Sequence, residues 1–76
     1  MEMIVKKATT FRRVKQGSLF LHGKTLALKS DYSTKNLKGE YQQDAYIVGS
    51  GEYFWGGTSS VGARDLIEVI EVELKL

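Results

Sequence analysis

Apolar and β-branched residues recur along the chain in short runs that glycine and polar clusters separate. The runs are residues 9–14 (TTFRRV), 18–22 (SLFLH), 25–29 (TLALK), 41–48 (YQQDAYIV) and 53–55 (YFW). Such short runs, rich in β-branched and aromatic residues, are typical of strands. Because the sequence contains no proline, glycine and polar residues mark the breaks. The pattern predicts short strands at a spacing of roughly ten residues.

The connections between these runs differ in length. Gly23 and Lys24 alone separate two of them, which predicts a tight hairpin because glycine supplies the positive φ that such turns need. We expect turns at residues 15–18 and 49–52. Longer polar or small-residue loops are expected at residues 31–40 and 56–62.

The last segment fits two patterns. Leu66, Ile67, Ile70 and Leu74 have helical spacing, whereas residues 70, 72, 74 and 76 are apolar and alternate with charged ones. Valine and isoleucine favour the strand. We therefore predict a turn or a single helical turn near residues 63–66, a strand over 67–75 and a bulge where Val69 adjoins Ile70.

The same alternation predicts the environment of this final strand. Its polar face would carry Glu68, Glu71, Glu73 and Lys75 and would point outward. Its edge would be open, so it could pair with a partner strand or a second copy.

Five to six short strands in 76 residues predict an all-β fold, a small antiparallel barrel or sandwich. An SH3-like barrel is favoured and an OB-like barrel is the second choice. The length corresponds to one domain, residues 1–76, with residues 1–8 as a flexible or edge-strand N-terminus. At this size apolar burial barely offsets conformational entropy. Stability must then come from tight packing or self-association.

Charge is distributed unevenly along the chain. Residues 1–39 hold nine Lys or Arg and two acids, a net charge of +7, whereas residues 40–76 hold two bases and seven acids, a net charge of −5. If the halves pair strand against strand, these charges neutralise each other. The alternative is a basic face that meets a polyanion. The residues of that candidate face are Arg12, Arg13, Lys15 and Lys29. A solvated edge strand protected by its basic residues explains the same cluster.

The stretch from Gly49 to Ser60 is the most distinctive part of the sequence, since glycines and hydroxyl side chains flank three consecutive aromatics. Glycine-rich backbone can bind an anion and an aromatic face can stack a base. The candidate ligand or partner residues are Ser50, Glu52, Tyr53, Trp55, Thr58 and Ser59. The alternative is ordinary packing, with Phe54 in the core and Tyr53 and Trp55 on the other face.

Features required for catalysis are sparse. Ser50 lies in VGSGE rather than in a GxSxG motif, and His22 is the single histidine. A chain this short builds little wall for a deep cleft. Without cysteine there is neither a disulfide nor a thiolate zinc site. The sequence predicts a protein that is not an enzyme and holds no metal or cofactor.

The termini carry no sign of export or membrane insertion. Residues 1–7 lack an apolar stretch long enough for a signal peptide, and residues 66–76 are interrupted by charges. The absence of cysteine fits a reducing compartment. We expect a cytoplasmic protein with no membrane partner.

Two strings carry a resemblance to a known group of proteins. LALKSDY at residues 26–32 and AYIVGSGEYFWGGT at residues 45–58 resemble small accessory proteins of tailed phages and prophages. The similarity extends over roughly residues 11–74, where a Phe11-x-x-Val14-x-x-Gly17-x-x-Phe20 spacing opens the match. It implies a phage accessory protein that acts in the host cytoplasm, and it implies no particular activity.

These observations favour a non-enzymatic binding module that modulates a host or phage protein, because charge polarity without strong net charge suits protein contact. One alternative is a protein that binds or sequesters nucleic acid or a nucleotide through the basic half and the Ser/Gly/Trp loop. A second is a self-assembling structural protein, a homo-oligomer.

Overall fold

The computed structural model describes residues 2–75 and shows one antiparallel sheet of five strands. The strands are β1 (Glu2–Thr10), β2 (Leu19–His22), β3 (Thr25–Lys35), β4 (Tyr41–Ile47) and β5 (Glu68–Lys75). Their order is β1-β5-β2-β3-β4, so the last strand lies between the first two. The prediction of a small antiparallel all-β fold is confirmed.

The hairpin between β2 and β3 forms where the sequence predicts it. His22 pairs with Thr25, which leaves Gly23 and Lys24 as the connection, and Gly23 has a φ of 62°. A left-handed φ of this kind is open to glycine at little steric cost, and it turns the chain back within two residues. The register continues from there to the pair Leu19–Leu28.

The first predicted strand is wrong in its placement. The strand is β1, which runs along one edge of the sheet from Glu2 and ends at Thr10; Phe11–Arg13 then form a 3₁₀ turn. Phe11 is fully buried, and its backbone N–H donates to the carbonyl of Ile67 at 3.0 Å. Burying this ring requires the chain to leave the extended strand direction, which period-two patterning does not reveal.

The predicted polar loop at residues 31–40 is mostly strand. β3 continues to Lys35, which pairs with Tyr41, and only residues 36–40 turn. The side-chain oxygen of Asn36 accepts from the backbone N–H groups of Lys38 and Glu40, both at 2.9 Å. This local bonding closes the hairpin and allows the polar strands on either side to pair.

The aromatic run at residues 53–55 forms no strand; Tyr53 makes one isolated bridge with Tyr46. A short helix, α1 (Val61–Asp65), follows, and the Ser60 hydroxyl accepts from the N–H of Ala63 at its start. β5 then confirms the strand predicted for the last segment.

Two expectations for the last strand are wrong. The bulge lies in β1, where the register shifts between Val5 and Lys7, and not at Val69 and Ile70. The edge of β5 is not open, because β1 and β2 flank it on both sides. Within residues 2–75, no helix has the length and apolar character needed to cross a membrane.

Three phenylalanines form the centre of the core. The ring centroids of Phe11, Phe20 and Phe54 lie 5.0–5.8 Å apart. Small and branched residues fill the space around them; these are Val14, Ala27, Ala45 and Val69. Two of the three rings lie outside the strands, so the segments before β2 and after β4 close the core over one face of the sheet.

The charge polarity of the sequence is offset along the β1–β5 ladder. Glu2 pairs with Lys75 and Lys7 with Glu71, and the Lys6 ammonium lies 3.6 Å from a Glu71 carboxylate oxygen. Both lysines of β1 therefore lie beside one acid of the second half of the chain, Glu71. Three exposed basic residues that lie outside this ladder, Arg12, Arg13 and Lys15, form a separate surface.

Candidate interaction surfaces

The middle of the sheet face opposite the core is apolar across all five strands, whereas at one end of this face Thr10 pairs with Glu68. Directly paired residues of adjacent strands lie on the same face. Val72 in β5 pairs with Val5 on one side and with Leu19 on the other. Leu19 in turn pairs with Leu28, and Leu28 with Tyr46. One continuous row of apolar and aromatic side chains therefore crosses the sheet.

Two further rows extend this surface. Ile70 pairs with Ala8 and Leu21, and Leu21 pairs with Leu26. Beyond the first row, Leu74 pairs with Met3. We call the three rows the outer face; its residues are Met3, Val5, Ala8, Leu19, Leu21, Leu26, Leu28, Tyr46, Ile70, Val72 and Leu74. None of these positions carries a charge, and the Tyr46 hydroxyl is the single polar side-chain group.

Much of the outer face is accessible to solvent. Val5 is 64% exposed, Ile70 40% and Leu28 38%. Val72 is the exception, because its neighbours on the same face bury it almost completely. A contiguous apolar surface of this kind differs from the single exposed apolar residues that any protein carries.

Three of the four residues predicted for the outward polar face of the last strand are exposed, namely Glu68, Glu73 and Lys75, and the prediction is wrong for Glu71. Glu71 is buried on the core side, where its carboxylate accepts from the backbone N–H of Lys15 at 3.1 Å. The apolar positions Ile70, Val72 and Leu74 lie on the outer face instead. Alternation shows which residues share a face, but it does not show which face covers the core. The signal that was missed is the recurrence of alternating apolar residues in three strands. The phenylalanines fill the core, so these apolar residues are available to form a second apolar face.

A buried arginine organises the other side of the molecule. Arg64 in α1 is fully buried, and its guanidinium carbon lies 4.6 Å from the ring centroid of Phe11, 5.2 Å from that of Tyr53 and 4.9 Å from that of Trp55. Its Nη1 donates to the carbonyl of Phe54 at 2.8 Å. Its Nη2 donates to the carbonyl of Gln43. The arginine thereby ties α1 to β4 and to the aromatic segment.

Tyr53 and Trp55 are half-buried because they pack on Arg64 and on each other, with ring centroids 5.3 Å apart. The Tyr53 hydroxyl lies 3.1 Å from a carboxylate oxygen of Asp44, which is itself buried. Burial raises the pKa of Tyr53 above its ordinary 10.0, and the Arg64 cation opposes this shift. Sequence reasoning missed Arg64, since an arginine in a small-residue loop carries no specific signal.

The other candidate residues of the glycine-aromatic segment are dispersed. Ser50 and Glu52 are exposed in the turn after β4, where the Ser50 hydroxyl accepts from the N–H of Glu52 at 3.2 Å. The Thr58 hydroxyl donates to the carbonyl of Trp55 at 2.6 Å and so closes the loop. Ser59 is exposed. Most of the hydroxyls that the sequence proposed as ligand groups thus serve local turns.

Trp55 and Ser59 do share a groove of about 370 Å³ between the β3–β4 hairpin and the start of α1. We call it the Trp55 groove; its principal lining residues are Lys35, Leu37, Lys38, Trp55, Ser59 and Ser60. The two lysines come from the hairpin that the sequence assigned to a loop. Ser50, Glu52, Tyr53 and Thr58 do not line it.

Three of the four predicted basic-face residues lie on the surface. Arg12, Arg13 and Lys15 are exposed, and both arginines line a groove of about 510 Å³ together with Leu66 and Glu68. Glu68 brings an acid to this groove, which reduces its attraction for a polyanion.

Lys29 does not belong to the basic face. It is 3% exposed, and its ammonium donates to the carbonyls of Phe11 at 2.8 Å and Arg12 at 3.0 Å. Its register partner is Ala45, a core residue, so strand alternation directs it inward. Burial lowers the pKa of Lys29 below its ordinary 10.5. The lysine holds the 3₁₀ turn against the sheet.

His22 packs edge-to-face on Phe54, with ring centroids 5.6 Å apart. Among residues 2–75, no group of three or more His, Asp or Glu side chains could hold a metal ion. Comparison with known proteins found no matching family model, no matching curated protein and no matching solved structure.

Proposed function

We propose that this protein is a non-catalytic binding module whose contact surface is the outer face. The observation that supports the proposal is that three adjacent rows of paired residues on this face carry no charge, and that one of these rows crosses all five strands. Burying such a surface against another protein releases about 25 cal/mol for each Å² of apolar area removed from water. Leaving it in water gives up that free energy and exposes the protein to nonspecific association.

The proposed mode of action is occupancy of a partner rather than chemistry. The outer face offers apolar area to another protein surface, and apart from the Tyr46 hydroxyl none of its side chains carries a group that could act as a general base or a nucleophile in catalysis. The resemblance of residues 45–58 to phage accessory proteins supports a host or phage protein as the target in the cytoplasm of an infected cell.

Site-specific photo-crosslinking tests this proposal. A photoreactive amino acid in place of Leu28 is expected to give covalent protein adducts in cells, because Leu28 lies on the outer face with 38% of its surface exposed. The same probe at Leu37, which is fully exposed in the β3–β4 hairpin, is the matched control. Adducts of equal yield at the two positions, or none at Leu28, would contradict the proposal.

A second candidate function rests on the Trp55 groove, which suits a nucleotide. Trp55, Lys35 and Lys38 all line it, and an aromatic ring with nearby cations is the combination that binds a base and its phosphates. The groove differs from the arginine groove in the aromatic side chain, since both hold two basic residues and one acid but only this one includes a tryptophan.

Ligand-dependent melting tests this second function. With ATP as the probe, binding to the folded protein raises the melting temperature, and the rise grows with the logarithm of the ATP concentration above the dissociation constant. We expect the rise to be lost in a Lys35→Ala/Lys38→Ala double variant and retained in Lys24→Ala, which removes an exposed lysine from the β2–β3 hairpin. Absence of any rise in the wild-type protein at low salt would exclude ATP as a ligand of this groove.

A further inference from the structure

We infer that the partner of the outer face is a second copy of this chain, packed face to face in a two-fold symmetric dimer. The inference rests on the proposed function and identifies its partner. Two sheets packed in this way lie about 10 Å apart, with their outer-face side chains interdigitated. The result is a sandwich of ten strands built from two identical halves.

The chemistry of the outer face is self-complementary. In a two-fold interface each patch meets itself, so any uncompensated charge would meet its own copy. The three ladder rows contain no charge, and their one side-chain polar group is the Tyr46 hydroxyl. A foreign partner is normally distinguished by charges and directed hydrogen bonds. This face supplies almost none, whereas apolar contact with an identical surface needs none.

The topology places the most apolar strand at the centre of such an interface. β2 is the middle strand of the order β1-β5-β2-β3-β4. Its outer-face residues, Leu19 and Leu21, are both half-buried and have leucine, isoleucine or valine as partners on both sides. A two-fold axis over β2 brings these leucines against their own copies. Ile70 and Leu28 then lie one strand away on either side, within the contact.

The accessible area of one chain supports this inference. The surface is 5304 Å², whereas a compact monomer of this mass is expected to expose about 4,700 Å². The excess of about 600 Å² is comparable to the roughly 800 Å² that each partner buries in a standard interface. Covering an area of that size on the outer face would bring the exposed area of each chain to the expected value, and it approaches the interface size of a stable dimer.

The core of one chain is small in comparison with this face. Eight apolar residues among those described are buried, and Val72 is already one of the outer-face set. Dimer formation would bury the remaining ten outer-face side chains and so more than double the apolar core. A chain of this length buries little apolar surface on its own, and burial at the dimer interface would add stability.

Molar mass measured by light scattering and sedimentation tests the inference with purified protein. We expect twice the 8.5 kDa mass of one chain, and a melting temperature that rises with protein concentration. Leu28→Lys and Ile70→Lys should each weaken dimerisation by at least about a hundredfold, because each buries an unpaired charge in an apolar contact. Leu28→Met and Leu37→Lys should retain the dimer, the first by keeping an apolar side chain and the second by lying outside the face.

A second measurement guards against variants that fail to fold. The photoreactive residue at position 28 in purified protein should give a chain-to-chain adduct of twice the mass. A monomeric wild-type protein, a dimer retained in both lysine variants, or the absence of that adduct would each overturn the second-copy inference. If the adducts formed in cells join Leu28 only to other proteins, the proposed function stands while this inference fails.

Discussion

Arg64→Ala is expected to lower the free energy of unfolding by about 3–5 kcal/mol, because two carbonyls lose a guanidinium donor, at up to about 1–3 kcal/mol each, and packing against three rings is removed as well. One of these carbonyls keeps a longer hydrogen bond from the Tyr53 hydroxyl, at 3.3 Å. The carbonyls belong to Phe54 and Gln43. The total stability expected for a domain of this length is about 5–10 kcal/mol, so this loss would leave a substantial unfolded population under mild stress.

Urea unfolding followed by Trp55 fluorescence measures this loss, since the indole packs on Arg64 itself. Arg12→Ala is the matched control, because it removes the same side chain from an exposed position. Arg64→Lys should fall between the two, since an ammonium cannot reach both carbonyls with the fork of a guanidinium. Equal unfolding midpoints for Arg64→Ala and Arg12→Ala would show that the buried arginine has no structural role.

Gly56→Ala is expected to destabilise the protein by about 2–5 kcal/mol through two effects, a left-handed backbone and a steric clash. Gly56 has a φ of 63°, and a Cβ placed there would lie 2.5 Å from Cδ1 of Ile67 and 3.0 Å from Cζ of Phe54. Phe54 is a core ring, so relief of the clash requires movement within the core. The absence of a side chain at Gly56 therefore allows the aromatic segment to pack closely against Ile67, the residue just before β5.

Gly23→Ala provides the control for the clash. Gly23 has nearly the same φ, 62°, but a Cβ there would meet no atom within 4 Å. It should therefore cost about 1–2 kcal/mol, the backbone effect alone. The difference between the two unfolding free energies isolates the steric contribution. If the two alanine variants are equally stable, the close packing of Gly56 against Ile67 and Phe54 is refuted.

Short-range patterns predicted most of the elements that local chemistry determines. The β2–β3 hairpin follows from a glycine that can adopt positive φ between two apolar runs. The strand at Glu68–Lys75 follows from its valines and isoleucines, which outweigh the helical spacing of Leu66 and Ile67. These features depend on residues close in the sequence, and so they can be recognised without knowledge of the tertiary structure.

Features that depend on distant contacts could not be predicted in the same way. Glu71 and Lys29 are charged, so the sequence reasoning placed both at the surface, yet each is buried beside backbone groups of residues 11–15. Both charges can be buried because backbone groups of the 3₁₀ turn and of the residues just after it form hydrogen bonds with them. Because these charged residues occupy core-side positions in β3 and β5, the apolar residues that alternate with them lie on the outer face.

Arg64 illustrates the same limit for the candidate site. Its aromatic neighbours lie 9–53 positions away along the chain, and only the folded structure brings them together. The sequence did identify Tyr53 and Trp55 as distinctive. Their half-buried position reflects contact with a cation from another segment, which no spacing within residues 49–60 encodes.

The bulge at Lys6 has a consequence for how copies of this chain can join. An exposed edge strand such as β1 is a template on which further chains can add without limit and grow into fibres. An unpaired extra residue interrupts the flat hydrogen-bonding rim, and two consecutive lysines repel an identical edge. Growth by strand addition at β1 is therefore opposed, and any association through the leucine-rich side stops at a closed pair.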